Sequence, residues 1–320
     1  MIISVSGSVA YDIILDYLGR FADHIQADKV HSINLSFLVS GVKKSAGGTA
    51  GNIAYNLAML GLDTEIIGWV GSDGRNLRGR YRKLGIGVRH LGVSKFQTAT
   101  GYIITDQMDN QISGFYPGAM MKRSALPKLE PCDWPIIAAE SPENMARLAR
   151  HYQSTRHRYI FDPGQAITAL DKKQIETCLK GASIVIGNDY EVSAIESSLR
   201  GARGTKQSQN SKGLLRFARN DGFIVIRTFG PRGSEIVFPN GKRVRIGVAK
   251  TKKTVDPTGA GDAYRAGLVK GIVMGLDLKR AAQLGATAAV FAAEKYGTQN
   301  HRFNYGILVR RHNSNFKDKI

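Results

Sequence analysis

Cysteine is nearly absent from this chain. Cys132 and Cys178 are the only two in 320 residues, and their separation matches neither a zinc-ligand spacing nor a Cys-x-x-Cys redox spacing. That excludes a disulfide framework and fits a reducing compartment. Long apolar runs are missing too, since nothing approaches the roughly 18 residues that a membrane helix needs. The first ten residues, MIISVSGSVA, are apolar but carry no basic leader and reach Asp12 at once, which is not the form of a signal peptide. The expectation is a soluble, cytoplasmic protein without a membrane partner. Acidic residues are scarce, 26 against 45 Lys and Arg, for a formal charge of +19. Such a balance ordinarily raises nucleic acid as a partner, but its distribution argues otherwise. Residues 199–220 contribute +6 without an acid and residues 301–320 contribute +4, which leaves +9 on everything else. Much of the imbalance is peripheral, and nucleic acid is not expected as the main partner.

What is present is ordinary globular material, 42% hydrophobic and 8% aromatic. That is enough for a sizeable core in one large α/β domain. The chain is organised around residues 255–267, VDPTGAGDAYRAG, which read as a loop running into a buried helix. Gly259 and Gly261 let the backbone turn sharply and bring its N–H groups close to a ligand. A helix starting near Ala260 adds unpaired N–H groups and partial positive charge at the same place, which suits a phosphate. Asp262, in the first turn, is placed to accept a proton from an attacking hydroxyl, so it reads as a general base. A first-turn aspartate also serves simply to stabilise a helix start.

Residues 2–9 read as a buried first strand, followed at its carboxyl end by Gly7, Ser8 and Asp12. Ligands of open α/β sheets bind at such ends, so Asp12 is a candidate for holding substrate hydroxyls. Residues 32–43 alternate as a half-exposed strand, and 101–106 with 111–116 read as a hairpin. These form a small sheet apart from the main one, of the kind that closes over active sites as a lid. The motif GGTAGN at 47–52 leads into a helix ended by Gly61 and offers backbone N–H groups, with the Asn52 amide able to donate and accept. Further strands are expected at 64–70, 136–139, 159–161, 182–186 and 223–228, with helices at 142–152, 170–179 and 281–296. This alternation implies a parallel sheet covered on both faces. Asn188 with Glu191, and Thr228 with Gly230, follow strands at the end where a nucleotide and its metal are expected. The basic stretch 199–221 reads as a solvated insertion or a polyanion patch, and the final segment as a short element followed by a loose tail.

Two motifs together, GGTAGN with Ala54, Gly61 and Gly71 at the right spacing, and DPTGAGDAYRAG, resemble the ribokinase-like (PfkB) carbohydrate and nucleoside kinases over nearly the whole chain. The resemblance implies a single α/β/α domain over 1–320 with a mostly parallel central sheet. It places lid strands at about 32–43 and 97–118, and the basic insertion at about 199–220. It further implies transfer of the ATP γ-phosphoryl group to a hydroxymethyl group. Asp262 matches the family's base, and Gly259, Ala260 and Gly261 its anion hole. Asp12, Gly47, Gly48 and Asn52 match its sugar-binding positions, and Thr228 and Gly230 its nucleotide loop. Asn188 and Glu191 match the Asn-x-x-Glu motif that organises Mg²⁺, largely through water. Asp256 and Gly297 fall near a monovalent-cation (K⁺) site found in many members. The segments DNQI at 109–112, FYPGAM at 115–120, FDPGQ at 161–165 and GTQNH at 297–301 are more similar to prokaryotic adenosine kinases than to sugar kinases. Phe115 and Tyr116 then either enclose a base or form lid core. Adenosine or a related purine nucleoside is the expected acceptor, with ribose or another sugar as the alternative. A non-catalytic nucleoside sensor or polyanion-binding module is a third reading, against which the intact Asp262 loop speaks. Such lid sheets often pair subunits, so either a monomer or a homodimer is compatible with the sequence. The basic stretch interrupts the helix that usually follows Glu191. Long surface insertions cost little loop entropy, so fold and activity are expected to survive it.

Overall fold

Short runs of β-branched residues without polar alternation build a sheet that is buried on both faces. The structure, a computed structural model, describes residues 1–25, 34–108, 110–200, 214, 218 and 220–320. In chain order the elements are β1 (Ile3–Ser6), β2 (Ala10–Tyr17), β3 (Val39–Gly47), α1 (Thr49–Met59), β4 (Thr64–Gly71), α2 (Arg75–Lys83) and β5 (Leu91–Ser94). There follow β6 (Ala99–Thr105), β7 (Gln111–Tyr116), β8 (Trp134–Ile137), α3 (Pro142–Ser154), β9 (Tyr159–Phe161), α4 (Lys172–Leu179), β10 (Ala182–Asn188) and α5 (Asp189–Arg200). The last are β11 (Ile224–Thr228), β12 (Ser234–Val237), β13 (Arg243–Ile246), α6 (Ala260–Val273), α7 (Leu278–Ala293) and α8 (Tyr305–Asn315).

Nine strands form one sheet in the order β13-β12-β11-β10-β9-β8-β1-β4-β5, parallel except for the antiparallel β11-β12-β13 edge. Successive strand residues point to opposite faces, and they feed two separate apolar layers. Ile136, Ile160, Ile184, Ile186 and Ile226 join α1, α6 and α7 on one side. Ile137, Phe161, Val185 and Val225 join α3, α4 and α5 on the other. Strand order reverses at β1 and β8, and the crevice outside their carboxyl ends is where such a sheet binds ligands. None of the helices among the described residues is long and apolar enough to cross a membrane.

A second, four-stranded sheet runs β3-β2-β6-β7 and differs in detail from the sequence expectation. The expected strand at 2–9 ends at Ser6 because the chain turns out of the main sheet at Gly7, where φ is +146° and a Cβ would press on Ala138 and Ala139. Ala10 then starts a strand of the small sheet, so Asp12 sits within β2 and not in a loop. The strand expected at 32–43 is observed at Val39–Gly47, paired antiparallel to β2 with Asp12 opposite Ser45; residues 26–33 lie outside the described residues. The 101–116 hairpin is present, with Thr100 opposite Tyr116. The Asp106 carboxylate holds its turn by accepting from the N–H groups of Met108, Asn110 and Phe21.

Five elements were not read from the sequence: α2, β2, β5, β12 and β13. Helix α2, RNLRGRYRK, buries only Leu77 and Tyr81, too few apolar positions to show a helical stripe. The expected loose tail is instead docked. Asn304 caps α8 by accepting from Ile307 N, Phe316 and Ile320 pack on the core, and Asn313 binds the Ile320 backbone. Of the basic stretch 199–221, Leu199, Leu214 and Ala218 are buried in the second apolar layer, and residues 201–213, 215–217 and 219 lie outside the described residues.

Candidate active site

Two glycine turns, far apart in sequence, face each other at the crevice. In the first, Gly48 caps α1 with φ +85°, and a Cβ there would lie 2.6 Å from Ser8 O and 2.7 Å from Ala10 N. Ser8 meets the first turn of α1, accepting from Thr49 N on its hydroxyl at 2.9 Å and from Ala50 N on its carbonyl at 3.0 Å. Gly48→Ala is therefore expected to lower stability by about 1–3 kcal/mol through backbone strain alone, and by more once the clash is added. Thermal unfolding of the variant measures it, and a wild-type midpoint would contradict the reading.

In the second turn Gly259 caps α6 with φ +79°, and a Cβ there would lie 3.0 Å from Thr298 Cβ. The Ala260 N–H closes the turn onto Pro257 O at 3.1 Å. Of the three expected anion-hole donors, Gly259 and Gly261 are the ones whose N–H groups make no bond among the described residues. Asp256 shapes the loop from below, accepting from Thr258 N and Gly297 N, each at 2.9 Å.

Asp262 lies between the turns. Asn52 Nδ2 donates to its Oδ2 at 2.8 Å, joining residues 210 positions apart. Burial pushes the Asp262 carboxyl up to about 7, with Asp162 and Asp12 adding to the rise and Arg265 and Asn52 opposing it. Asp12 on β2 rests against Gly47 and Gly101, where any Cβ would press on its carboxylate. Burial first, then Asp256, raises Asp12 to about 6. Asp12, Gly101 and Phe115 are directly opposite one another across β2, β6 and β7, so they share one face of the small sheet. Phe115 and Tyr116 are consecutive in β7 and point to opposite faces. The pleat therefore splits the expected aromatic pair, and only Phe115 stands on the side of Asp12.

The opposite wall is built at the carboxyl ends of β9, β10 and β11. Asn188 and Glu191 cap α5 reciprocally, with Asn188 N donating to Glu191 Oε2 at 2.8 Å and Glu191 N to Asn188 Oδ1 at 2.9 Å. Thr228 is in register with Asn188, its hydroxyl 3.5 Å from Gly187 O, and Gly230 follows with φ +56°. Arg265, one turn beyond Asp262, makes a two-pronged pair with Asp162, Nη2 to Oδ1 at 2.6 Å and Nε to Oδ2, and stands 3.9 Å from Glu191. Glu191 is raised by burial and by Asp162, against the pull of Arg265.

Sequence reasoning assigned no role to Asp162, Arg265, Gln299, Arg80 or Tyr81. Asp162 follows a short strand just as Asn188 does, and the carboxyl-end rule that found Asn188 applied to it equally. Arg265 is a buried cation flanked by apolar residues in the middle of α6, and a buried cation needs a partner. Nothing local marks Arg80 or Tyr81. Among the described residues no three metal-binding side chains converge.

The pfkB family carbohydrate kinase model matches residues 6–303. The chain is 30% identical over 294 residues to a nucleoside kinase of Methanothermobacter thermautotrophicus, covering 90% of this chain and 91% of that protein. Its fold is similar to the nucleoside kinase of Burkholderia thailandensis in complex with inosine, with a TM-score of 0.85, 28% identity and 99% of each chain covered. The same enzyme with ADP and inosine gives 0.84 at 29% identity, covering 99% of this chain and 97% of that one. The large mostly parallel sheet flanked by helices, with its smaller second sheet, is the ribokinase fold, and the chain belongs to the pfkB family of carbohydrate kinases, phosphotransferases that act on a hydroxyl group.

Proposed function

We propose that the protein is an ATP-dependent nucleoside kinase that phosphorylates the 5′-hydroxyl of a purine nucleoside, adenosine to AMP foremost, with Asp262 as general base. The observation that carries it is the carboxyl of Asp262 at the start of α6, hydrogen-bonded to Asn52 of the other glycine turn. The nucleoside kinase relatives and the inosine-bound neighbour support the acceptor class. Phe115, exposed on the face that carries Asp12, is placed to lie against a base, which a free sugar does not need.

Asp12 and Asn52 hold the sugar hydroxyls, and Gly47 and Gly48 leave the room for them, since side chains there would fill the space over Asp12 and Ser8. Asp262 takes the hydroxyl proton as the γ-phosphoryl group departs from ATP. The N–H groups of Gly259 and Gly261, with the start of α6, stabilise the charge that develops. Thr228 and Gly230 form the nucleotide side. Glu191 is a single carboxylate flanked by Arg265 and not part of a cage. That fits Mg²⁺, which keeps its waters and is held by one or two carboxylates plus phosphates. When bound, Mg²⁺ neutralises charge on the transferring phosphates. Asp256 is the carboxylate beside which K⁺ belongs in this reading.

The test is ATP consumption by the purified protein with Mg²⁺ across adenosine, inosine, guanosine, cytidine, ribose and fructose, with products identified by mass. Turnover on adenosine or inosine well above either sugar is expected. Turnover on ribose or fructose alone would keep the mechanism and overturn the acceptor.

A further inference from the structure

The hydrogen bonds that reach Asp262 do not begin at Asn52. Gln299, in the segment after α7, donates from Nε2 to Asn52 Oδ1 at 2.9 Å and to Tyr81 Oη at 3.0 Å. Arg80 on α2 in turn donates from Nη1 to Gln299 Oε1 at 2.7 Å and from Nη2 to the Gln299 carbonyl at 3.2 Å, with its guanidinium over the ring of Tyr55. We infer that Arg80 and Gln299 are positioning residues for the phosphotransfer: they fix which way the Asn52 amide points, and with it the hydrogen bond that Asp262 receives. This rests on the reading of Asp262 as the base.

The direction of the chain is dictated at its outer end. A guanidinium only donates, so the Gln299 atom facing Arg80 must be the oxygen. Its NH₂ group then faces Asn52, which must answer with its own oxygen and is left to turn its NH₂ group to Asp262. An ionised carboxylate only accepts, so the two ends agree. Reversing either amide sets donor against donor. Both amides are nearly inaccessible, with 4% of Asn52 and 4% of Gln299 exposed, and water cannot make good a reversed bond, so the reversal is costly. The consequence at the site is that Asp262 Oδ2 is committed to Asn52 and Oδ1 stays available to the acceptor hydroxyl. The relay ties together α2, the 297–299 segment, α1 and α6, four elements that meet only in the folded chain.

A donor held on Asp262 favours its ionised form, so breaking the relay must raise the carboxyl further. The other groups that act on it are Arg265 on α6, Asp12 on β2 and Asp162 beyond β9, and none of them is altered by changes at 80 or 299. The experiment is a ¹³C NMR titration of the Asp262 carboxyl in the full chain without substrate, assigned by its loss in Asp262→Asn. Gln299→Met, uncharged and of similar length, and Arg80→Met are each expected to move the titration up by about half to one pH unit. Arg80→Lys, which retains a donor and the charge, stays close to wild type. Where turnover is measured, the acidic limb of kcat moves with the NMR value while KM for ATP stays within twofold. A folded Gln299→Met protein with an unmoved Asp262 titration overturns the relay. Because the titration needs no substrate, failure to phosphorylate any nucleoside sinks the proposed function without deciding this result.

Discussion

Asp262→Asn is expected to lower kcat by a factor of about 10² or more, equal to at least about 2.7 kcal/mol of barrier, while leaving ATP and nucleoside binding nearly intact. The substitution is isosteric, and an asparagine oxygen still accepts the Asn52 N–H that now goes to Oδ2. Geometry is kept and only the proton acceptor is lost, so kcat and not KM carries the effect. The wild-type pH profile reports on the same group. With the carboxyl raised to about 7, the base is ionised above that pH and increasingly protonated below it. The rate is expected to fall about tenfold per unit on the acid side, and the limb to vanish in the variant. Steady-state kinetics from pH 5 to 9, with calorimetric titration of both ligands, makes the measurement. Near-wild-type turnover in Asp262→Asn would remove the assignment.

Arg265→Leu is expected to destabilise the fold by about 3–5 kcal/mol, the usual cost of stranding one member of a buried ion pair. Asp162 is fully buried, and the side chain of Arg265 is 9% exposed. Without the guanidinium, a carboxylate with no access to water is left without its partner, at a high cost. Glu191 and Asp262 are affected as well, because Arg265 is a cation that lowers both. Its loss raises both carboxyls, so the acidic limb of the rate profile moves to higher pH. The double change Asp162→Asn with Arg265→Leu removes the stranded charge and recovers a large part of the stability. Urea unfolding of the three proteins separates these outcomes, and a single variant as stable as wild type would show that the pair contributes little.

The glycine turns were legible because their signal is local. A residue at φ +85° or +79° next to a close backbone contact must be glycine, and the requirement is written at Gly48 and Gly259 themselves. Most strands of the main sheet were legible for a similar reason, as unbroken β-branched runs, whereas α2 was not, since its burial rests on Leu77 and Tyr81 alone. Of the small sheet, the hairpin β6-β7 was read in place, β3 with shifted bounds, and β2 not at all. Its register depends on where the chain leaves the main sheet, and Gly7 decides that through contacts with Ala138 and Ala139.

By itself, then, the sequence determined the glycines that the tight turn into α6 requires, the alternation that yields a parallel sheet covered on both faces, and the place of Asp262 in the first turn of α6. These follow from φ preference, side-chain period and helix-end electrostatics, all properties of neighbouring residues. The tertiary structure alone decided that Asn52 meets Asp262, that Asp162 neutralises Arg265, that Phe115 and not Tyr116 shares a face with Asp12, and that Arg80 orients Gln299. Each of these joins groups from separate elements. Distances and hydrogen-bond directions between such groups exist only once the layers have packed.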